Sequence, residues 1–172
     1  LIVMGSLGSE KINNLLINTM NLFDNKPYQV LFVTGKDSYE SVSKNKFPKN
    51  VFVVPYIDNM TRIMKKTDLI VSRAGASTLS EIIALKLPSI LIPSPYVPDN
   101  HQYKNAIDLV EKDAAILIEE KNLTGELLAD KIDYVLKNPT IAHDIKQNLE
   151  QFNVKSSATV IYETIKALVD RE

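Results

Sequence analysis

Ser72-Arg73-Ala74-Gly75-Ala76-Ser77-Thr78-Leu79-Ser80-Glu81 is the stretch of this chain best equipped to handle an anion. Asp68 to Ser72 reads as a buried strand, and Ala74-Gly75-Ala76 lets a ligand approach the backbone closely. A helix is expected to begin near Ser77 or Thr78. The first turn of a helix has N–H groups without partners and a partial positive charge, which suits phosphate. Glu81, about one turn in, can accept two hydrogen bonds from a ribose diol while the amides take the phosphates. Small uncharged side chains with one glutamate fit a nucleotide diphosphate. Thr78-Leu79-Ser80-Glu81 also matches the S/T-x-x-E capping box, which stabilises helix starts without any ligand.

Three further loops carry polar residues at strand ends. Gly5-Ser6-Leu7-Gly8-Ser9 follows the apolar run Leu1-Ile2-Val3-Met4 and precedes a helical pattern. That arrangement can cradle a phosphate, or it can be a tight turn with Ser6 or Ser9 as helix cap. It lacks the third glycine of the dinucleotide fingerprint, and Val33-Thr34-Gly35-Lys36 places no acid for a ribose, so NAD is disfavoured. Three prolines stiffen Pro93-Ser94-Pro95-Tyr96-Val97-Pro98, and Asp99 or Asn100 should then cap a helix bearing His101, Gln102 and Asn105. Stiff backbone with clustered polar tips suits sugar hydroxyls, and equally a capped helix with solvated side chains. No carboxylate or nucleophile is paired with His101 in the sequence, so it is a poor candidate for a general base. In Pro55-Tyr56-Ile57-Asp58-Asn59-Met60, Ile57 can offer backbone groups to a flat base, or the loop simply ends in an N-cap at Asp58.

The elements that must position these loops alternate. Strand-like runs at 1–4, 28–34, 51–54, 68–72, 89–93 and 114–118 are separated by helical patterns at 9–25, 37–45, 59–66, 77–86 and 101–112. Helical patterns at 124–137, 139–150 and 155–170 follow, with a break at Asn138-Pro139. This is the pattern of an α/β protein, a doubly wound parallel sheet of about six strands in a single domain over 1–172. Such sheets bind ligands beyond the carboxyl ends of their strands.

Composition narrows the chemistry. The 172 residues are 45% hydrophobic and 24% charged, ordinary for a globular domain. No run is long enough to span a bilayer. With no cysteine and two histidines, disulfides, thiol catalysis and Cys- or multi-His metal sites are excluded, and no metal or cofactor is expected. A net charge of −1 argues against nucleic acid as partner. Residues 1–86 nevertheless hold 11 basic and 7 acidic side chains, which favours an anionic small ligand in that half.

Taken together, Gly5-Ser6-Leu7-Gly8, Tyr56-Ile57-Asp58-Asn59-Met60, the 72–81 segment and Asn100-His101-Gln102-Tyr103-Lys104-Asn105-Ala106 resemble the C-terminal half of the MurG family. The resemblance covers essentially the whole chain. It implies the C-terminal, donor-binding domain of a GT-B glycosyltransferase with a Rossmann-like fold. The family transfers N-acetylglucosamine from its UDP derivative to lipid I, giving lipid II for peptidoglycan, by inverting displacement at the anomeric carbon. Carried onto this sequence, Ser6 would contact the diphosphate and the Ile57 backbone would read uracil. Ala76, Ser77 and Thr78 would hold phosphate and nearby sugar atoms. Glu81 would bind the ribose, and Gln102 with His101 the N-acetylglucosamine hydroxyls. Met4 stands where the family usually has a glycine before Gly5.

The family's N-terminal half carries the lipid I site, the membrane-facing patch and the residues proposed for base catalysis. The expectation is therefore a fragment with no catalytic residue of its own, inactive alone, with the 155–170 helix either closing this domain or packing on a missing N-terminal domain. The complete enzyme would work in the cytoplasm, on the cytoplasmic face of the bacterial membrane. Three alternatives stay open: the donor subunit of a split two-chain transferase, a non-catalytic nucleotide-sugar-binding module, and a UDP-sugar epimerase half, for which no acidic catalytic residues are well placed.

Overall fold

The structure, a computed structural model, describes residues 1–5, 10–152 and 157–169, and for 157–161 the backbone alone. Six short apolar runs form one sheet: β1 (Ile2–Val3), β2 (Val30–Val33), β3 (Val51–Val54), β4 (Ile70–Ser72), β5 (Ser89–Leu91) and β6 (Ile116–Leu117). β-Branched residues dominate them, as expected for strands buried on both faces. All pairings are parallel, in the order β3-β2-β1-β4-β5-β6. The expected doubly wound sheet is what forms, and each of its strands lies within a run read from the sequence.

Between strands lie α1 (Glu10–Thr19), α2 (Lys36–Ser43), α3 (Met60–Met64), α4 (Ala76–Leu85) and α5 (His101–Val110). The chain steps outward from β1 to β3, then returns and steps the other way from β4 to β6. Right-handed crossovers in opposite directions put α1 and α2 on one face and α4 and α5 on the other. The contacts agree: α1 touches α2, and α4 touches α5. Leu16, Phe23, Phe32, Ile70, Ile82 and Ile90 are fully buried in the core between these layers.

The C-terminal helices α6 (Gly125–Leu136), α7 (Pro139–Leu149) and α8 (Ser157–Val169) follow β6. α6 packs on α1 and α7 on α6. Pro139 opens α7, which places the break where Asn138-Pro139 predicts it. The continuous helix expected over 9–25 instead ends at Thr19 and tightens into a 3-10 turn, Met20–Phe23. Among the described residues no helix is long and apolar enough to cross a membrane.

Candidate functional site

Strand order reverses at β1 and β4, which are neighbours. The chain leaves them in opposite directions, opening a crevice at their carboxyl ends, where open α/β sheets bind ligands. Gly5, at φ +91°, turns the backbone out of β1 in a conformation that favours glycine. Ser6, expected at the diphosphate, lies outside the described residues. Across the crevice, Ser72 closes β4 and α4 begins at Ala76, with Gly75 at the cap position.

The geometry of that helix start bears on the capping-box reading of 78–81. The helix opens slightly earlier than expected, so Thr78 sits inside the first turn rather than at the cap. Glu81 does not fold back onto it: Glu81 Oε1 accepts a hydrogen bond from Thr61 Oγ1 at 2.9 Å. Ser80 Oγ donates to the Ala76 carbonyl at 2.9 Å. The capping box is not formed. The first intrahelical bond is Leu79 N–H to the Gly75 carbonyl at 3.0 Å, which leaves the Ala76, Ser77 and Thr78 N–H groups ahead of the helical ladder. Gly75 brings no side-chain acceptor to them. It has an ordinary φ of −71° and nothing within 4 Å of where a Cβ would stand. Glycine here leaves space rather than enabling a turn.

A cavity of about 170 Å³ lies at this crevice. It brings Ile57, Thr78 and Glu81 together with Gly5, Tyr56 and Arg73. Ile57 and Tyr56 come from the loop after β3. That loop ends in α3, capped by Asn59 Oδ1, which accepts from Arg62 N–H at 3.0 Å, and not by Asp58. Tyr56 is about half exposed, with Lys36 Nζ 5.2 Å from its ring centroid. A larger hollow of about 520 Å³ opens at the amino ends of the strands, between Leu1, Tyr28, Phe52 and Ile132. It lacks helix N-termini, so size alone does not locate an anion site.

Ala76, Ser77, His101 and Gln102 lie outside the lining of the small cavity. Ala76 and Ser77 are exposed on the first turn of α4. His101 and Gln102 open α5, after Asp99 and Asn100, both left-handed at φ +53° and +50°. Asn100 sits at the cap position without a side-chain cap bond. His101 Nδ1 is 2.9 Å from the Pro98 carbonyl, which can only accept, so Nδ1 is the donor and Nε2 faces away from this contact. Gln102 Oε1 accepts from Ser94 N–H at 3.0 Å, which leaves its NH₂ to donate elsewhere. Asn105 Nδ2 donates to the Ala74 carbonyl at 3.3 Å and ties α5 to the turn before α4.

A charged group that no motif in the sequence marks lies beneath these loops. Arg73 is buried and pairs with Glu120, in a 3-10 turn (Glu120–Asn122) after β6, at 2.8 Å. Lys11 Nζ reaches the other oxygen of Glu120 at 3.1 Å. Burial alone would raise the Glu120 carboxyl, but hydrogen bonds from Arg73 and Lys11 outweigh it and hold the group below its ordinary range. The same hydrogen bond raises Lys11 above the usual lysine value. Glu119-Glu120-Lys121 reads as a solvated charge run, and only the unmatched arginine in an otherwise small-residue loop hinted at a buried partner.

The family model of the glycosyltransferase family 28 C-terminal domain matches residues 1–161. A UDP-N-acetylglucosamine–N-acetylmuramyl-(pentapeptide) pyrophosphoryl-undecaprenol N-acetylglucosamine transferase of Halalkalibacterium halodurans is 45% identical over 170 residues, 96% of this chain and 47% of the relative. The enzyme of that name from Bacillus cytotoxicus is 42% identical over 175 residues, 99% of this chain and 48% of the relative. The chain thus spans about half the length of the curated relatives it matches. The crystal structure of Acinetobacter baumannii MurG superposes with a TM-score of 0.82 at 25% identity, over 96% of this chain and 48% of that one. The glycosyltransferase VinC, solved in complex with dTDP, shares the fold at a TM-score of 0.78 and 18% identity, over 99% of this chain and 41% of VinC. Fold, matched length and identity agree: the chain belongs to glycosyltransferase family 28, as its C-terminal domain.

Proposed function

We propose that this chain is the donor-binding half of an inverting glycosyltransferase that moves N-acetylglucosamine from UDP-N-acetylglucosamine to lipid I. The observation that carries the reading is the start of α4. Its leading amides are uncapped, and Glu81 stands one turn beyond them in a cavity shared with Ile57. The names of the relatives supply the donor and acceptor.

In this reading the Ile57 backbone receives the uracil edge and Glu81 exchanges its bond to Thr61 for the ribose hydroxyls. The Ala76, Ser77 and Thr78 amides, with Ser6, meet the diphosphate. His101 Nε2 and the free NH₂ of Gln102 contact the sugar hydroxyls. In the transfer, an acceptor oxygen forms its bond to the anomeric carbon as the bond to the diphosphate oxygen breaks. The electron pair leaves on UDP, and amides already aimed at that oxygen stabilise the growing charge without reorganising. The acceptor site and the base would come from an N-terminal domain, on the cytoplasmic face of the membrane. α8 would pack on that domain: Tyr162, Ile165, Leu168 and Val169 are each more than half exposed on its turns.

The test is a calorimetric or NMR titration of the chain with UDP-N-acetylglucosamine, with UDP-glucose and NAD as controls. Saturable binding that prefers the N-acetylglucosamine nucleotide is expected. Equal response to all three, or none at millimolar ligand, would sink the reading for this chain.

A further inference from the structure

One carboxylate gathers the loops at the carboxyl end of the sheet. Glu120 has a side chain only 3% exposed and engages Arg73 Nη2 through Oε2 and Lys11 Nζ through Oε1. Arg73 Nη1 donates to the Ile92 carbonyl at 3.0 Å, and Lys11 Nζ reaches the Tyr96 hydroxyl at 3.4 Å. These residues follow β1, β4, β5 and β6, so a single side chain ties together segments leaving four of the six strands.

Buried ion pairs are a weak source of stability, because desolvating the charges offsets much of their attraction. Lys11 and Arg73 both engage this one carboxylate. The two cations differ in access. Arg73 is buried, lines the cavity and sits between β4 and the start of α4. Lys11 stands in the first turn of α1 with its side chain 69% exposed, free to meet a ligand. A lysine is a hydrated point charge on a flexible stem. Held between Glu120 and Tyr96, it is restrained before any ligand arrives.

We propose that Glu120 is a positioning residue for the diphosphate end of the donor site, locking Arg73 under the β4–α4 turn and holding Lys11 at the rim as the cation that meets the diphosphate. This rests on the nucleotide-sugar reading above and adds two residues to it. Positioning and simple field strength predict opposite signs. Removing the Glu120 charge raises the net positive charge, so a field effect alone would tighten an anion.

The experiment measures UDP and uridine affinities by NMR titration for the unsubstituted chain, Glu120→Gln and Lys11→Met, with a thermal melt of each. Glu120→Gln is expected to weaken UDP about 10-fold while uridine changes less than about twofold. Lys11→Met, at an exposed position, should leave the melt nearly unchanged, weaken UDP about 3- to 10-fold, spare uridine and flatten the salt dependence. Parallel loss of UDP and uridine with a lowered melt in Glu120→Gln would make the carboxylate merely structural and overturn the proposal. Unchanged or tighter UDP binding in Glu120→Gln, or unchanged binding in Lys11→Met, would overturn it too. An unsubstituted chain that binds neither ligand overturns the donor reading first, and this inference with it.

Discussion

Glu81 stands one turn inside α4, where it accepts a hydrogen bond from the Thr61 hydroxyl of the neighbouring helix α3. Because the capping box is not formed, Glu81→Ala removes no helix cap. It should lower stability by no more than about 1 kcal/mol, the worth of one partly exposed hydrogen bond. Its effect on donor affinity should be larger, about 10- to 150-fold, for a charge-assisted contact to a diol. Titration and a thermal melt of the same variant separate the two; a collapsed melt with unaltered affinity would overturn the role. That Glu81 and Ile57 belong together was legible because each follows a strand in an α/β pattern, and strand ends converge. The role of Gly75 was legible as space, though not its ordinary φ. Glu120 was not legible, because its burial depends on β6 pairing with β5, Ile116 opposite Ile90, and on β5 pairing in turn with β4, which starts 46 residues before β6.

Elements are held to one another by a few polar clamps as well as by the core. Asp133 on α6 receives Lys26 Nζ at 2.6 Å, the Tyr28 hydroxyl at 2.7 Å and Lys137 Nζ at 2.8 Å, which ties α6 to the segment entering β2. Burial would raise this carboxyl, but the hydrogen bonds from Lys137, Lys26 and Tyr28 lower it from 3.8 to about 2. Burial, then the bond to Asp133, pushes the Tyr28 phenol up. A carboxyl with a depressed folded value contributes stability above its unfolded value and loses it as pH falls through the folded one. The melting difference between the unsubstituted chain and Asp133→Asn should therefore be full above about pH 4 and close towards pH 2. A difference that stays constant from pH 7 to pH 2 would count against the clamp. α6 also meets α1 closely: a Cβ on Gly125 would fall 2.5 Å from Thr19 Oγ1. Gly125→Ala should destabilise by about 1–3 kcal/mol despite its better helix propensity, measured by urea unfolding. Hydrophobic periodicity marked both helices; that a glycine was needed where they touch depends on packing between residues far apart in sequence.

At the scale of the whole molecule, α8 presents Tyr162, Ile165, Leu168 and Val169 to solvent. Exposed apolar stripes of this kind mark contact surfaces. Replacing Ile165 and Leu168 by lysine should leave the melt of this chain unchanged and reduce its self-association, checked by sedimentation; a fall in the melt would mean that α8 is part of this domain's own core. The sheet order has a consequence in time. β1, two residues long, is the middle of the sheet, with Ile2 opposite both Phe32 and Val71. The β1–β4 pairing closes a loop of nearly seventy residues, the longest separation between paired strands in the sheet. Loop closure at that separation slows folding and leaves the β4-facing edge of β1 unpaired meanwhile. During synthesis the β1–β2–β3 half can assemble first, and the crevice at β1 and β4 exists only once the second half has docked. Anything that binds in that crevice therefore spans the longest-range joint of the sheet, and should slow unfolding by holding its two halves together.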